Sequence, residues 1–386
     1  MIPLVKDTIT HEEMDKLADW IKTYPRLTKG ELCEEFEKKW SEFLGCEYSV
    51  FVNSGSSANL LMLYALMEYG VLKRGDKIVV PSVSWATDLA PVMQLGLEPV
   101  LCDCNLENLS IDLDDFESVI RKHKPKILLL VSVLGLVPNM EAIQQLCNSK
   151  NILILEDTCE SFGSKYKGKN LGTFGVMSSF STFFGHHLST IEGGMVCTNN
   201  RDMYNILKCI RSHGWDRDMD PDYQKIIRKT YDVKDDFQSL YTFYRMGFNV
   251  RATDLQAFIG INQLEKAQQV IDIRNKNYKL YNSLIRSNAW KAPKSTRNYF
   301  VSNFAYPVIT SDRAKIVDRL LSNGVQTRPL ICGSIGRQPF WIKKFGVCSK
   351  KNADIVHDHG FYLPNNSEIT EKEIGFIVDL VGEINV

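Results

Sequence analysis

The sequence predicts an α/β fold: a large domain on a mostly parallel central sheet, followed by a smaller C-terminal α+β domain. Two observations carry this. Up to about residue 200, short runs of Val, Ile and Leu alternate with stretches of helical apolar spacing, as in a sheet covered on both faces. Beyond that point the alternation stops and helix-rich sequence with two more strand-like runs takes over. A chain of 386 residues has room for two packed units, at roughly 150 residues per domain. The expected division is 1–264 and 265–386, inside a long helical stretch.

The elements follow in order. Thr10 and Glu13 make a capping-box pattern, and Met14, Leu17, Ala18 and Ile21 continue on one helical face. After a turn around Pro25 and Gly30, Cys33, Phe36, Trp40 and Phe43 mark a second helix. The spacing predicts strands over Tyr48–Val52, Lys77–Val80, Glu98–Cys102, Lys126–Val133 and Ile152–Leu155. Helices over Asn59–Tyr69 and Met140–Cys147 lie among them. A long, bent helical stretch is expected over 253–287. A strand Phe304–Ile309, a helix Arg313–Asn323, a strand Val325–Leu330 and a terminal helix Glu371–Ile384 complete the smaller unit.

Charge and cysteine usage narrow the function. Lys+Arg and Asp+Glu are balanced at 46 each, which argues against nucleic-acid binding through an overall basic field. A small anion held by local groups stays open. The longest apolar run, Ile127 to Val137, has 11 residues, against the roughly 20 a membrane span needs. The N-terminal MIPLVKDTITHEE turns acidic before any apolar signal core. Ten cysteines without a C-x-x-C pair read as reduced thiols of a cytoplasmic protein. Cys102 and Cys104, one residue apart, leave metal or iron–sulfur ligation open.

Three motifs bear on chemistry. In Asn53-Ser54-Gly55-Ser56-Ser57-Ala58 a strand ends at Val52 and a helix begins near Ala58, so free N–H groups and hydroxyls gather where a phosphate can sit. A plain helix cap explains the same residues. Asp157, after the strand ILIL, stands where α/β sheets bind ligands and suits a protonated ring nitrogen; a solvated strand end is the other reading. The third is Ser181-Thr182-Phe183-Phe184-Gly185-His186-His187, running on to Glu192-Gly193-Gly194. Adjacent histidines point in different directions and do not make a metal site. After Lys169 no lysine occurs until Lys208.

Six blocks in this order, NSGSSANLL, PSVSWATDLAPV, EDTCESFGSKYKGKNLGTFG, SFSTFFGHHLSTIEGGMV, RSHGW and GFNVRATDLQA, resemble the sugar aminotransferase (DegT/DnrJ/EryC/StrS-type) family of fold-type I pyridoxal phosphate enzymes. The likeness is strong over residues 10–265 and looser around Thr327-Arg328-Pro329 and Tyr362-Leu363-Pro364. It implies that Gly55, Ser56 and Ser181 hold the cofactor phosphate and that Trp85 stacks on the ring. It implies further that Asp157 pairs with the ring nitrogen, with Glu160 near the ring hydroxyl, where most relatives carry Gln or His. Asn249 would reach the phosphate of a neighbouring subunit, which implies a homodimer with shared sites.

One position departs from the family. Five residues after Ser181 and six before Glu192, the aminotransferases carry the lysine that binds the cofactor covalently; here it is His186. That replacement, in GHHLSTIEGG, resembles the subgroup of GDP-4-keto-6-deoxymannose 3-dehydratases. The resemblance implies a noncovalent pyridoxamine phosphate whose amine condenses with a sugar 4-ketone. His186 would move the proton that lets the C3 hydroxyl leave. The products implied are a 3,6-dideoxy-4-keto sugar and ammonia, with L-glutamate restoring the amine. A second dehydratase subgroup adds an iron–sulfur cluster, but no cysteine lies between Cys209 and Cys332, so the non-redox type and no metal are expected. An ordinary nucleotide-sugar aminotransferase and a silent cofactor-binding relative are the alternatives. His213, Arg251 and Arg328 are candidates for substrate contact, with surface or subunit-contact roles equally open.

Overall fold

The computed structural model describes residues 1–285 and 298–382. Strands β1 (Tyr48–Val52), β2 (Lys77–Pro81), β3 (Glu98–Cys102), β4 (Ile127–Val131) and β5 (Leu153–Asp157) come first. Two short strands, β6 (Lys165–Tyr166) and β7 (Lys169–Asn170), precede β8 (Met177–Ser181) and β9 (Gly194–Thr198). The central sheet has the order β1-β9-β8-β5-β4-β2-β3. From β8 to β3 every pairing is parallel, and β9 alone runs antiparallel to its neighbours β8 and β1.

The strand sequences account for both covered faces. β4, ILLLV, is buried at every position. Its Ile127 and Leu129 face one apolar core, with Leu61, Leu66 and Ile206, while Leu128 and Leu130 face another, with Phe116 and Ile143. The helix Gly55–Glu68 is apolar on most sides because it lies between β8 and β9 and the helix Arg201–Arg211. A third, aromatic core joins the helix Glu31–Leu44 (Phe36, Trp40) to Phe51, Phe162 and Phe180.

The C-terminal part supplies β10 (Tyr299–Phe300), which pairs with β6, and the antiparallel sheet β11-β13-β12. In that sheet β11 is Tyr306–Ile309, β12 is Arg328–Pro329 and β13 is Gly360–Leu363. The start of the chain is tied to this part: Ile2 N–H donates to Gly324 O at 2.8 Å and Gln326 N–H donates to Ile2 O at 3.0 Å.

Several expected boundaries move for local reasons. The Thr10–Glu13 capping box is present, on the helix His11–Ile21. The helix expected near Ala58 begins at Gly55, because Ser54 caps it. The bent stretch over 253–287 is two helices, Asp254–Glu265 and Ala267–Leu284, divided at Lys266; 286 and 287 lie outside the described residues. The strand expected over Val325–Leu330 shrinks to Arg328–Pro329, since Val325 bridges Ile2 and Pro329 has no N–H to extend a ladder. The terminal helix ends at Val381 before Gly382, which takes φ 66°, and Ile384 lies outside the described residues. β8 and β9 escaped notice because MSSFS and GMVCT mix small and polar residues into buried strands.

The first residue of β9 meets the start of the helix Gly55–Glu68 without a side chain between them. A Cβ on Gly194 would lie 2.4 Å from the carbonyl carbon and oxygen of Ser54 and 2.5 Å from the Gly55 nitrogen. Gly194→Ala is therefore expected to destabilise the fold by about 1–3 kcal/mol, the usual cost of overpacking, read from the denaturant midpoint. An unchanged midpoint would show that this contact yields freely.

Candidate active site

The carboxyl ends of β1, β4, β5 and β8 open on one cavity of about 370 Å³, the place where open α/β sheets bind ligands. Gly55, Ser56, Trp85, Asp157, Glu160, Ser181, His186 and Arg328 all line it. Leu4, Val5, Phe304 and Tyr362 close it from distant parts of the chain.

One end is built to receive an anion. Ser54 Oγ accepts the Ser57 N–H at 3.1 Å, which leaves the N–H groups of Gly55 and Ser56 for a ligand. Gly55 is required by space: a Cβ there would sit 2.8 Å from Cys159 Sγ and 2.9 Å from Ser181 Cβ. Ser56 Oγ, which donates to Thr87 Oγ1 at 3.0 Å, and Ser181 Oγ add hydroxyls to the same wall.

The other end is acidic. Asp157 ends β5; its Oδ1 accepts the Cys159 N–H at 2.9 Å and its Oδ2 accepts from Asn59 Nδ2 at 2.6 Å. The same Asn59 nitrogen donates to Asp88 Oδ1 at 3.0 Å, and Asp88 Oδ2 accepts the Trp85 N–H at 2.9 Å. Burial, then the neighbouring Asp157 charge, hold the Asp88 carboxyl well above the usual carboxylate range. Glu160 Oε2 accepts the Leu134 N–H at 2.8 Å, and burial pushes this carboxyl up to about 7. The Trp85 side chain is 57% exposed, an apolar plate on the cavity wall. Anion donors, an acid for a ring nitrogen and a flat apolar wall together fit a phosphorylated pyridine.

His186 stands between these ends on a loop closed at its base by Thr182 N–H to Gly193 O (2.9 Å) and Thr190 N–H to Thr182 O (2.8 Å). Its Nδ1 lies 2.8 Å from Cys159 O. A carbonyl only accepts, so Nδ1 carries the hydrogen and Nε2 keeps its lone pair. Burial pulls the imidazole down to about 4, so it is neutral at neutral pH. His187 faces the other way: it is buried, bonded through Nε2 to Ser302 O at 3.1 Å, and belongs to the packing. Among the described residues no lysine lines the cavity, and Lys169 sits on β7 over the Phe174 ring, 4.6 Å from Nζ to centroid.

Asn249, His213 and Arg251 lie elsewhere, beside the end of β1. Asn249 bridges Ser212, Arg251 bridges Val52, and Arg251 Nε donates to Asn249 Oδ1 at 3.1 Å. The His213 ring meets Trp215 edge-on at 4.9 Å. None of the three lines the cavity of its own chain. Among the described residues no group of three or more His, Cys, Asp or Glu side chains is placed to hold a metal ion. Asn59 and Asp88 were missed by sequence reasoning, although a polar residue in the apolar run NLLMLYAL was a visible signal for the first.

Comparison with known proteins adds to the geometry. The model of the DegT/DnrJ/EryC1/StrS aminotransferase family matches residues 7–382. A GDP-4-keto-6-deoxy-D-mannose 3-dehydratase of Yersinia pseudotuberculosis is 36% identical over 382 residues, covering 96% of each chain. The solved structure of the E. coli GDP-4-keto-6-deoxy-D-mannose-3-dehydratase with bound hydrated PLP superposes with a TM-score of 0.90 at 31% identity, over 99% of each chain. A GDP-4-keto-6-deoxymannose-3-dehydratase with a trapped PLP-glutamate geminal diamine gives a TM-score of 0.91 at 31% identity, over 99% of this chain and 100% of that one.

The His186 geometry has a direct spectroscopic consequence. At pH 6 its ring is expected to be neutral with the hydrogen on Nδ1, as read from ¹⁵N shifts of labelled imidazole. A protonation midpoint near the ordinary 6.5 would contradict the burial argument.

Proposed function

The chain belongs to the DegT/DnrJ/EryC1/StrS aminotransferase family, and from that premise we propose that it is a pyridoxal/pyridoxamine phosphate-dependent 3-dehydratase of a GDP-4-keto-6-deoxy sugar. Its products are the 3,6-dideoxy-4-keto sugar and ammonia, and L-glutamate is the amino donor. The observation that carries the reading is His186: a neutral imidazole lines the cavity where the resemblance places the family's lysine, and among the described residues no lysine lines that cavity.

When bound, the cofactor supplies an amine that condenses with the 4-ketone and a ring that accepts electrons while the C3 hydroxyl departs. Gly55, Ser56 and Ser181 would hold its phosphate, Asp157 its ring nitrogen and Trp85 its ring face. Glu160, raised toward neutrality, can present a hydrogen to the ring hydroxyl. His186 Nε2 accepts a proton and returns it to the leaving hydroxyl oxygen. A base held low by burial becomes a strong acid once protonated, so one group serves both transfers. Among the described residues no lysine lines the cavity, so the cofactor would be held without a covalent bond to this chain, and its amine would be free to leave with the sugar and be released there as ammonia by hydrolysis.

The working unit is a homodimer with shared sites. Asn249 lies outside its own chain's cavity, and Phe237, Tyr241, Phe243 and Met246 are exposed on the segment leading to it, an apolar surface suited to a second copy. The cytoplasm is the compartment, in keeping with ten free cysteines.

Incubation with pyridoxal phosphate, glutamate and GDP-4-keto-6-deoxymannose, followed by mass analysis of the sugar, is expected to show loss of the C3 oxygen and release of ammonia. Retention of nitrogen on the sugar would make the protein an aminotransferase, and no turnover would make it a silent relative. His186→Asn is expected to lower dehydration by at least about 100-fold, the usual scale for removing a general acid–base, with cofactor affinity little changed; surviving activity would assign the base elsewhere. Sedimentation of the wild-type protein is expected to give a dimer, and a monomer at working concentration would remove Asn249 from the site.

A further inference from the structure

The acidic end of the cavity is held by a network that none of the roles above uses. Asn59 Nδ2 lies 2.6 Å from Asp157 Oδ2 and 3.0 Å from Asp88 Oδ1, so one amide group bridges two carboxyls. Ser179 Oγ donates to Asn59 Oδ1 at 2.6 Å, which fixes the face of the amide turned to the acids. The Trp85 N–H, 2.9 Å from Asp88 Oδ2, anchors the second acid. Asn59, Asp88 and Ser179 are at most 2% exposed. They come from the helix Gly55–Glu68, the helix Ala86–Gln94 and β8, and meet Asp157 at the end of β5.

We propose that Asn59 and Asp88 are positioning residues for the cofactor: they hold Asp157 as one oriented carboxylate toward the ring nitrogen and tie it to Trp85, so that ring edge and ring face are gripped by one connected unit. The inference rests on reading the cavity as a pyridoxal phosphate site. Two buried carboxyls that share a donor do not both ionise. Asp88, the more enclosed of the two, is pushed toward its protonated form by burial and by the neighbouring Asp157. The other titratable groups facing this pair are Glu160, Cys159, Cys332 and His186. The cysteine thiols are raised by burial and stay uncharged, and His186 is neutral, so among these described groups it is Glu160 that competes for charge there.

The test uses the full chain loaded with pyridoxal phosphate labelled with ¹⁵N in the ring, whose shift reports ring protonation independently of turnover. Asn59→Leu removes the donor to Asp157; it is expected to lower the ring-nitrogen midpoint by about one pH unit and to weaken cofactor binding about tenfold, one unit being a factor of ten in differential interaction. Asp88→Asn, which keeps a neutral group of the same shape, is expected to shift the midpoint less than Asp88→Ala. Should Asn59→Leu fail to fold, Ser179→Ala carries the test, since it frees the amide to turn without opening a large cavity, and it is expected to move the midpoint the same way. Thermal unfolding without cofactor separates these effects from loss of fold. Folded Asn59→Leu or Ser179→Ala protein with the wild-type midpoint and affinity would overturn the proposal while leaving the dehydratase reading intact. A wild-type protein that does not bind pyridoxal phosphate would overturn both.

Discussion

The geometry of the site depends on one close approach: the start of the helix Gly55–Glu68 is pressed against β8, β9 and the loop after β5. Glycine at 55 and at 194 makes that approach possible, since a Cβ at either position would lie within 3 Å of neighbouring atoms. The consequence reaches one turn further. Residues four apart share a helical face about 6 Å apart along the axis, so the helix that offers N–H groups at Gly55 also delivers Asn59 to Asp157. Anion donors and acid clamp are thus set by a single rigid element, and the length of the cavity between them is fixed by helix pitch.

Within that frame, residue 186 brings a neutral imidazole into the cavity. Its ring is oriented by a backbone carbonyl, Cys159 O, rather than by a charged partner. A carboxylate there would raise the imidazole and keep it charged; a carbonyl fixes the tautomer and leaves burial to decide the charge. The neighbouring His187 shows the alternative fate of the same residue type, enclosed and bonded to Ser302 O. A one-residue difference in chain position separates a cavity-lining imidazole from a packing one.

Much of the site was legible because it lies where strands end. Ser56 and Asp157 each follow an apolar run, Ser181 stood in one of the blocks that carry the family resemblance, and His186 stood out by the absence of lysine between 169 and 208. What the sequence concealed is tertiary. Asp88 looked like any first-turn helix acid, and only the meeting of three elements gives it Asn59 and Asp157 as neighbours. Phe304, whose ring lies 5.2 Å from that of His186, comes from the far part of the chain, with no local pattern to announce it. The strand expected over Val325–Leu330 failed for a similar reason: Val325 found its partner in Ile2, not in the adjacent sheet. β9 broke the parallel rule the other strands obeyed, and its apolar content alone gave no direction.

The pairing of Ile2 with residues 324 and 326 has a consequence in time as well as space. It brings Leu4 and Val5 to the cavity wall beside Arg328 and Tyr362, so segments far apart in the chain enclose the same space. A polypeptide emerges from the ribosome N-terminus first, and domains fold as their sequence becomes available. The parallel sheet can assemble while the ribosome is still at work, but its cavity stays open on one side until residue 362 has emerged. The enclosure of the cavity is therefore a late event of folding, made by contacts between segments more than about 300 residues apart.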